Sequence, residues 1–283
     1  MTNISHLTSE TLIKVQGIDS EKFLQGQLTQ DIQLLTQQTN LFSAYCNAKG
    51  RIISLFQVFK TNEAIYLSLA KSTANSMLEI IQKYALFSKV TLSVSDDYYT
   101  YAAWGEAIEH FISQNTSSIN LRIKTSKTSY KLFTKSPIAT DNTDVNYLSE
   151  SQWQAFLISS KYPVILAENS EHFLPAELKL NQLDAISLSK GCYVGQEVIA
   201  RMHYLGQTKK TLYYAVTTTK LDGIQLKAKI FNQKQKAVGE VVNYAFNEDK
   251  SQTELLVLMN QSAIADETNN TFTLNDNPIT LIH

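Results

Sequence analysis

The sequence predicts an α+β fold with ferredoxin-like layers, followed by a small C-terminal β-barrel. Three observations carry this expectation. Residues 11–134 read as alternating strands and helices in the order of a split βαβ unit. Residues 149–205 hold two stretches with helical spacing of apolar positions. Beyond residue 206, five short segments alternate or are β-branched and are separated by polar turns. A boundary near residue 205 divides an α+β region, 1–205, built as two intertwined subdomains, from a barrel, 206–283.

The elements follow in order. Residues 11–16 form a strand that stops at Gly17, and Asp19 or Ser20 caps a short helix carrying Phe23, Leu24 and Leu28. Residues 41–48 and 51–60 are the arms of a hairpin whose turn, Ala48, Lys49 and Gly50, uses glycine's access to positive φ. A further strand covers 64–70. In 71–84, Met77, Ile80, Ile81 and Tyr84 mark one helical face, and in 89–95 Val90, Leu92 and Val94 alternate as in a strand. Strands are expected at 98–104, 120–125 and 129–134, and a helix at 106–114. A loop spans 136–146. Ser149 and Gln152 have the spacing of a capping box before a helix with Trp153, Phe156 and Leu157 on its apolar face. The barrel strands are 211–216, 224–231, 237–244, 253–259 and 271–281.

Composition narrows the class. With 43% hydrophobic residues the chain can bury a core, which excludes a disordered protein. Nine glycines and four prolines exclude collagen-like and linker-dominated chains. A net charge of −1 gives no whole-molecule field towards nucleic acid or membrane. Two cysteines, Cys46 and Cys192, make no disulfide framework and suit a reducing compartment. The first residues lack the basic, apolar and small-residue regions of a signal peptide, and the apolar run at 64–70 is far shorter than the roughly 18 residues of a membrane span. A soluble cytoplasmic protein with no membrane partner is therefore expected.

Chemistry concentrates in residues 190–210, KGCYVGQEVIARMHYLGQTKK, where three of the scarce glycines fall: Gly191, Gly195 and Gly206. Val194, Val198 and Met202 recur at helical spacing, and Gly206 stands where a left-handed cap would end the helix. Cys192 then lies just before a helix N-terminus with Lys190 close in sequence. Both would favour the thiolate. The flanking glycines would let a ligand or partner approach. The competing reading is an inert, packed thiol.

That segment resembles the signature of the YgfZ family, folate-binding tRNA-modifying proteins related to the glycine cleavage T-protein, an aminomethyltransferase. Further blocks keep the family's order: 19–31 (DSEKFLQGQLTQD), 46–51 (CNAKGR), 84–90 (YALFSKV), 162–165 (YPVI), 173–175 (FLP) and 183–187 (LDAIS). The resemblance implies a T-protein-like folate-binding fold around a central cavity, then a β-barrel. It implies tetrahydrofolate or a derivative as cofactor, and a role supporting iron–sulfur enzymes, including those that thiolate or methylthiolate tRNA. On it, Cys192 is the functional thiol and a shared iron–sulfur ligand, and Lys190 assists it. Trp153, Gly191, Tyr193, Gly195, Gln196 and Glu197 border the folate site. The sequence also departs from the T-protein pattern. The early hairpin holds Asn47 and Lys49 where T-proteins place an Asp base, the pterin-recognising Glu falls near Ser159, and a second folate-associated Trp falls near Glu10. These departures point to an accessory protein. The alternative is a folate-dependent one-carbon transferase or demethylase.

The remaining candidates have plainer readings. Trp153 reads equally as a core anchor and as a ligand-stacking ring. His6, His110, His172, His203 and His283 show no metal-ligand spacing. Arg201 and Lys209, Lys210, Lys220, Lys227, Lys229, Lys234 and Lys236 form a basic stretch with Asp222 as its one acid. Without interleaved stacking aromatics it reads as a solvated barrel face, and direct tRNA binding is not expected from it.

Overall fold

A computed structural model describes residues 1–139, 145–206, 208–221, 223–265 and 271–282. Asp222, His283, Gln207 of the signature and part of the 136–146 loop lie outside the described residues. The chain opens with β1 (Thr2–His6), absent from the sequence expectation, and β2 (Glu10–Gln16). In α1 (Ser20–Gln25), Asp19 stands at the N-cap, but its carboxylate accepts the Lys89 N–H at 2.7 Å and caps no helical N–H.

The predicted hairpin forms as β3 (Leu41–Cys46) and β4 (Ile52–Lys60), followed by β5 (Ile65–Ala70). β3 and β5 are buried at every position and β4 at all but its last, because both faces of their sheet are covered. In α2 (Lys71–Ala85), Met77 and Ile81 are fully buried. Tyr84, expected on the same face, is exposed. Next come β6 (Thr91–Ser95), β7 (Tyr99–Trp104), α3 (Ile108–Gln114), β8 (Leu121–Ser126), β9 (Ser129–Thr134) and β10 (Val145–Tyr147).

The strands of this region are divided between two five-stranded sheets. One has the order β10-β1-β7-β9-β8 and the other β3-β4-β5-β2-β6. β1 and β2 are separated by three residues yet enter different sheets, which ties the two layers together at the start of the chain. The layers meet face to face through Leu12, Phe59 and Tyr66 of one and Ile123 and Phe133 of the other. The Phe59 ring lies 4.5 Å from Phe133 and 5.1 Å from Tyr66. Beside this apolar contact Lys131 of β9 reaches Glu10 of β2 at 2.5 Å, and Ser68 donates to the same carboxylate at 3.0 Å. This ion pair crosses the interface with side chains only 11% and 15% exposed.

Helix α4 (Glu150–Ser159) starts at Ser149, but the Ser149 hydroxyl makes no cap hydrogen bond, so the capping box does not form. The helix is apolar on several sides. Trp153 and Leu157 pack on β7 of the first sheet, while Ala155 and Ile158 join the cluster shared by β3, β4 and the barrel. Helix α5 (Gln196–Leu205) begins two residues later than expected, leaving Val194 outside it, and Gly206 is extended at φ −115°, not left-handed.

The barrel is closed by six strands, β11 (Lys210–Thr217), β12 (Lys229–Asn232), β13 (Ala237–Asn247), β14 (Gln252–Asn260), β15 (Phe272–Leu274) and β16 (Asn277–Ile282), in the order β11-β14-β13-β12-β15-β16. A short α6 (Gln261–Ile264) follows β14. The expected 224–231 strand shrinks to β12. The expected 271–281 strand is a hairpin turning at Asn275 and Asp276, both at positive φ. Val241, Leu255 and Val257 fill the barrel, whereas Leu212, Val242, Leu256 and Leu258 face the α+β layers.

Glu240 of β13 anchors that junction. It is 3% exposed and receives Lys210 at 2.8 Å, Lys229 at 2.7 Å and His172 Nε2 at 3.1 Å. Burial pushes its carboxyl up, but the three hydrogen bonds outweigh burial and hold it down at about 2. A depressed carboxyl stabilises the fold fully above its ordinary value of 4.5, and that contribution disappears as pH falls from there through about 2. Acid titration followed by circular dichroism should show about 3 kcal/mol lost across that window. Glu240→Gln should flatten that part of the curve, and an unchanged curve would remove Glu240 as the cause. The inter-sheet pair gives a second expectation. Glu10→Gln leaves Lys131 buried without its partner and should cost about 3 kcal/mol in urea unfolding. Adding Lys131→Met should recover much of that loss, and a purely additive double variant would show that the pair is not coupled.

Candidate functional site

The site is built on the β3–β4 turn. Asn47 folds the turn by accepting, on its side-chain oxygen, the N–H of Lys49 at 2.9 Å and of Arg51 at 3.0 Å. Gly50 adopts φ +71°, as the sequence anticipated. The 190–199 segment lies against this turn with backbone on backbone. A Cβ on Gly195, at φ +82°, would stand 2.5 Å from the Asn47 carbonyl and 3.1 Å from Gly50 Cα, and one on Gly50 would meet Val198 at 3.1 Å. Gly195 is therefore fixed by close packing and leaves no opening for a ligand. Gly191 has nothing within 4 Å of its Cβ position, and the approach to it is free.

Lys190 forms the second clamp. Its ammonium donates to the carbonyls of Leu28 at 2.8 Å and Gln30 at 2.9 Å and lies 5.1 Å from the Tyr193 ring. Burial pushes its pKa down to about 8, against the pull of Asp31. Two of its three donors are thus committed to the 28–30 backbone, where the sequence reading had placed its charge at the service of Cys192. Thr29 reinforces the same seam by donating to Ala185 O at 2.7 Å, and Gln30 donates to Asp184 O at 2.5 Å.

Between these clamps Cys192 is exposed, four residues before the first residue of α5. Tyr193 turns inward and packs in the cluster that contains Cys46, and burial pushes its phenol up. Cys46 is fully buried, and burial pushes its thiol up as well. The two sulfurs thus occupy opposite environments, one in water and one in the core. Gln196 reaches back to the Lys190 carbonyl at 3.5 Å, and Glu197 is exposed on the first turn of α5. Among the described residues no group of three His, Cys, Asp or Glu side chains could hold a metal. One accessible thiol and one core thiol do not make the roughly four-ligand set of a resident iron–sulfur cluster.

Trp153 lies elsewhere. It is 2% exposed, rests 5.4 Å from Phe156 in a stacked arrangement and 5.4 Å from Trp104, and its buried indole N–H has no hydrogen-bond partner. The space beside it, edged also by Glu10, Gln57, Lys131 and Tyr162, measures about 30 Å³ and contains no residue of the 190–197 segment. It has room for about one water, not for a pterin. So the space beside Trp153 is not bordered by that segment. The Glu10–Lys131 pair stands at its edge, where the sequence comparison found no second Trp.

A larger cleft opens on the far side of Leu157, Tyr162 and Val164, which line both spaces. It measures about 580 Å³ between α4 and the barrel, and Gln154, Glu168, Gln225, Lys227 and Asn243 are among its polar lining. That volume is in the range of small-molecule and cofactor sites, about 300–1,000 Å³. Its wall is mostly apolar and carries one carboxylate and one ammonium. Sequence reasoning missed Glu168 and Lys227 because they are distant in sequence and carry no motif. It also missed Glu171, whose carboxylate accepts from Asn47 at 2.7 Å and puts an acid at the early turn from a different segment.

No family model matches the chain. Among curated proteins it is 34% identical over 221 residues to the tRNA-modifying protein YgfZ of Aliivibrio fischeri, strain ATCC 700601 / ES114, covering 74% of this chain and 70% of that protein. It is 33% identical to the protein of the same name from Escherichia coli O7:K1, over 71% of this chain and 68% of that one. In three dimensions it resembles the glycine cleavage system aminomethyltransferase T from Bartonella henselae, with a TM-score of 0.77 over 100% of this chain and 85% of that one at 12% identity. The structural likeness establishes a T-protein fold ending in a closed six-stranded barrel. With the exposed thiol of KGCYVGQE seated on the early hairpin of that fold, and identity of this level across most of both chains, the protein belongs to the YgfZ family.

Proposed function

We propose that the chain takes part in tRNA modification as an accessory protein whose working group is the Cys192 thiol. The observation that carries this reading is the position of that thiol: exposed, yet on a loop fixed by Lys190 on one side and Gly195 on the other. A packing cysteine would not be presented in this way. The names of the curated relatives support tRNA as the molecule served. The partners that suit a single free thiol are iron–sulfur enzymes of tRNA thiolation, to which Cys192 would offer one ligand or one nucleophile while the partner holds the cluster.

A reduced folate is assigned to the α4–barrel cleft. Glu168 would accept hydrogen bonds from the pterin's amino-pyrimidine edge, Lys227 would meet the carboxylate tail, and Leu157 and Tyr162 would cover the ring. Folate bound there would supply a one-carbon carrier or a redox-sensitive pterin. The chain's own part is to hold and shield it. Asn47, in the early turn, has a neutral amide that cannot take a proton, and the nearby Glu171 carboxylate is held by that amide. This favours the accessory role over aminomethyl transfer.

Alkylation of the native protein should modify Cys192 and spare Cys46 until unfolding, as read by peptide mass. Cys192→Ser should fold normally and fail to restore tRNA thiolation in cells lacking the native protein. Full restoration at native expression would reduce Cys192 to a surface residue. Calorimetric titration with tetrahydrofolate should show one site, weakened roughly tenfold in Lys227→Met through loss of a charge-assisted contact. Absence of binding to the native chain would remove folate from the proposal.

A further inference from the structure

The basic residues after 205 do not form one uniform solvated face. Lys220 lies over the Phe246 ring at 5.1 Å and Lys227 lines the cleft, whereas Lys210 and Lys229 converge on Glu240. Lys229 stands directly across from Glu240 in the β12–β13 register, and Lys210 reaches the same carboxylate from across β14. His172 completes the group, and its carbonyl accepts from the Arg51 guanidinium. Arg51 ends the turn on which Gly195 rests, so the group is continuous with the support of the Cys192 loop.

One buried carboxylate thus answers two ammonium groups, and a positive charge remains even with His172 neutral. The lysine side chains are 36% and 53% exposed while their heads are fixed at 2.8 and 2.7 Å. Each ammonium has three donors and the carboxylate uses one, so the others are free to face a second acceptor. Pinned cations need little further ordering to take up an anion. The neighbouring acid, Glu171, keeps its negative charge while accepting from the Asn47 amide, and the Arg51 guanidinium, bound to the His172 carbonyl, offsets it.

We propose that Lys210, Lys229 and His172, gathered over Glu240 and joined through Arg51 to the turn beneath Cys192, hold backbone phosphate of an RNA substrate. The choice of RNA rests on the tRNA-modification reading; the choice of phosphate does not. The two lysine heads stand at a partly exposed surface over Glu240, and a polyanion needs only such a matching surface. No stacked aromatic accompanies it, so it would position the RNA without reading bases.

The test is fluorescence anisotropy of a labelled, unmodified tRNA transcript with the full chain, over about 50 to 200 mM salt. Lys229→Gln should weaken binding roughly fivefold, the upper end for an exposed ion pair, and lower the salt slope by about 1. Glu240→Gln removes the negative charge that the two lysines share and should tighten binding, a gain that misfolding cannot imitate. Lys124→Gln, at an exposed lysine paired with Glu109 in the first sheet, should bind as the native chain does, and because the readout is binding alone it stays separate from the test of the thiol. Salt-independent binding, no binding by the native chain, or equal affinity in both charge variants would overturn the proposal. So would displacement of the transcript by millimolar inorganic phosphate, which would mark a small-anion site.

Discussion

Helix α4 is apolar on several sides because three separate layers close on it. Trp153 and Leu157 serve the first sheet, while Ala155 and Ile158 serve the cluster that β3, β4 and the barrel share. An ordinary surface helix offers one apolar stripe and leaves the rest to water. This one has almost no such freedom, and the relative placement of sheet, sheet and barrel follows from it. Both clefts follow too: the water-sized space lies on the Trp153 side, and the 580 Å³ cleft lies where α4 and the barrel diverge beyond Tyr162.

The site depends on a different kind of constraint. Gly195 and Gly50 meet through main chain, at separations that no side chain could share. Packing of this sort is rigid because backbone has no rotamers to rearrange. Lys190 adds a polar clamp that is unusual in being buried, satisfied by two carbonyls and held near a pKa of 8. Burial of an ammonium is unfavourable, and the return is a loop whose next residues cannot drift. Cys192 is exposed on that loop, so its accessibility is a property of the scaffold and not of loose chain.

Local patterns made much of this fold legible. The β3–β4 hairpin, its Gly50 turn, α2 and β9 follow from spacing and glycine placement, and the KGCYVGQE segment stood out because glycine is scarce elsewhere. What spacing could not provide was partnership. Alternation marked β2 but not β1, and nothing local sends the two to different sheets. Lys190 and Cys192 are two residues apart, which suggested electrostatic help, yet the lysine points to the 28–30 backbone. Trp153 read equally as core or ligand stack, and its crowding by Trp104 and Phe156 could not be read from spacing. Glu240 was invisible because a buried acid announces itself only through the cations that converge on it.

The two clusters of buried charge show why convergence matters for function. Glu10 and Lys131 pair one to one, nearly closed to water, so their charges cancel and their effect is confined to holding two sheets in register. Glu240 meets two lysines and a histidine whose outer faces are wet, so the cancellation is incomplete and the excess is presented outward. The same interaction type thus has opposite consequences according to stoichiometry and exposure. A balanced buried pair seals an interface, and an unbalanced one beside solvent becomes a surface field of fixed position. Because Arg51 and the β3–β4 turn link that field to the Cys192 loop, the thiol and the positive group are held in one frame, so a molecule bound at one would have a defined orientation at the other.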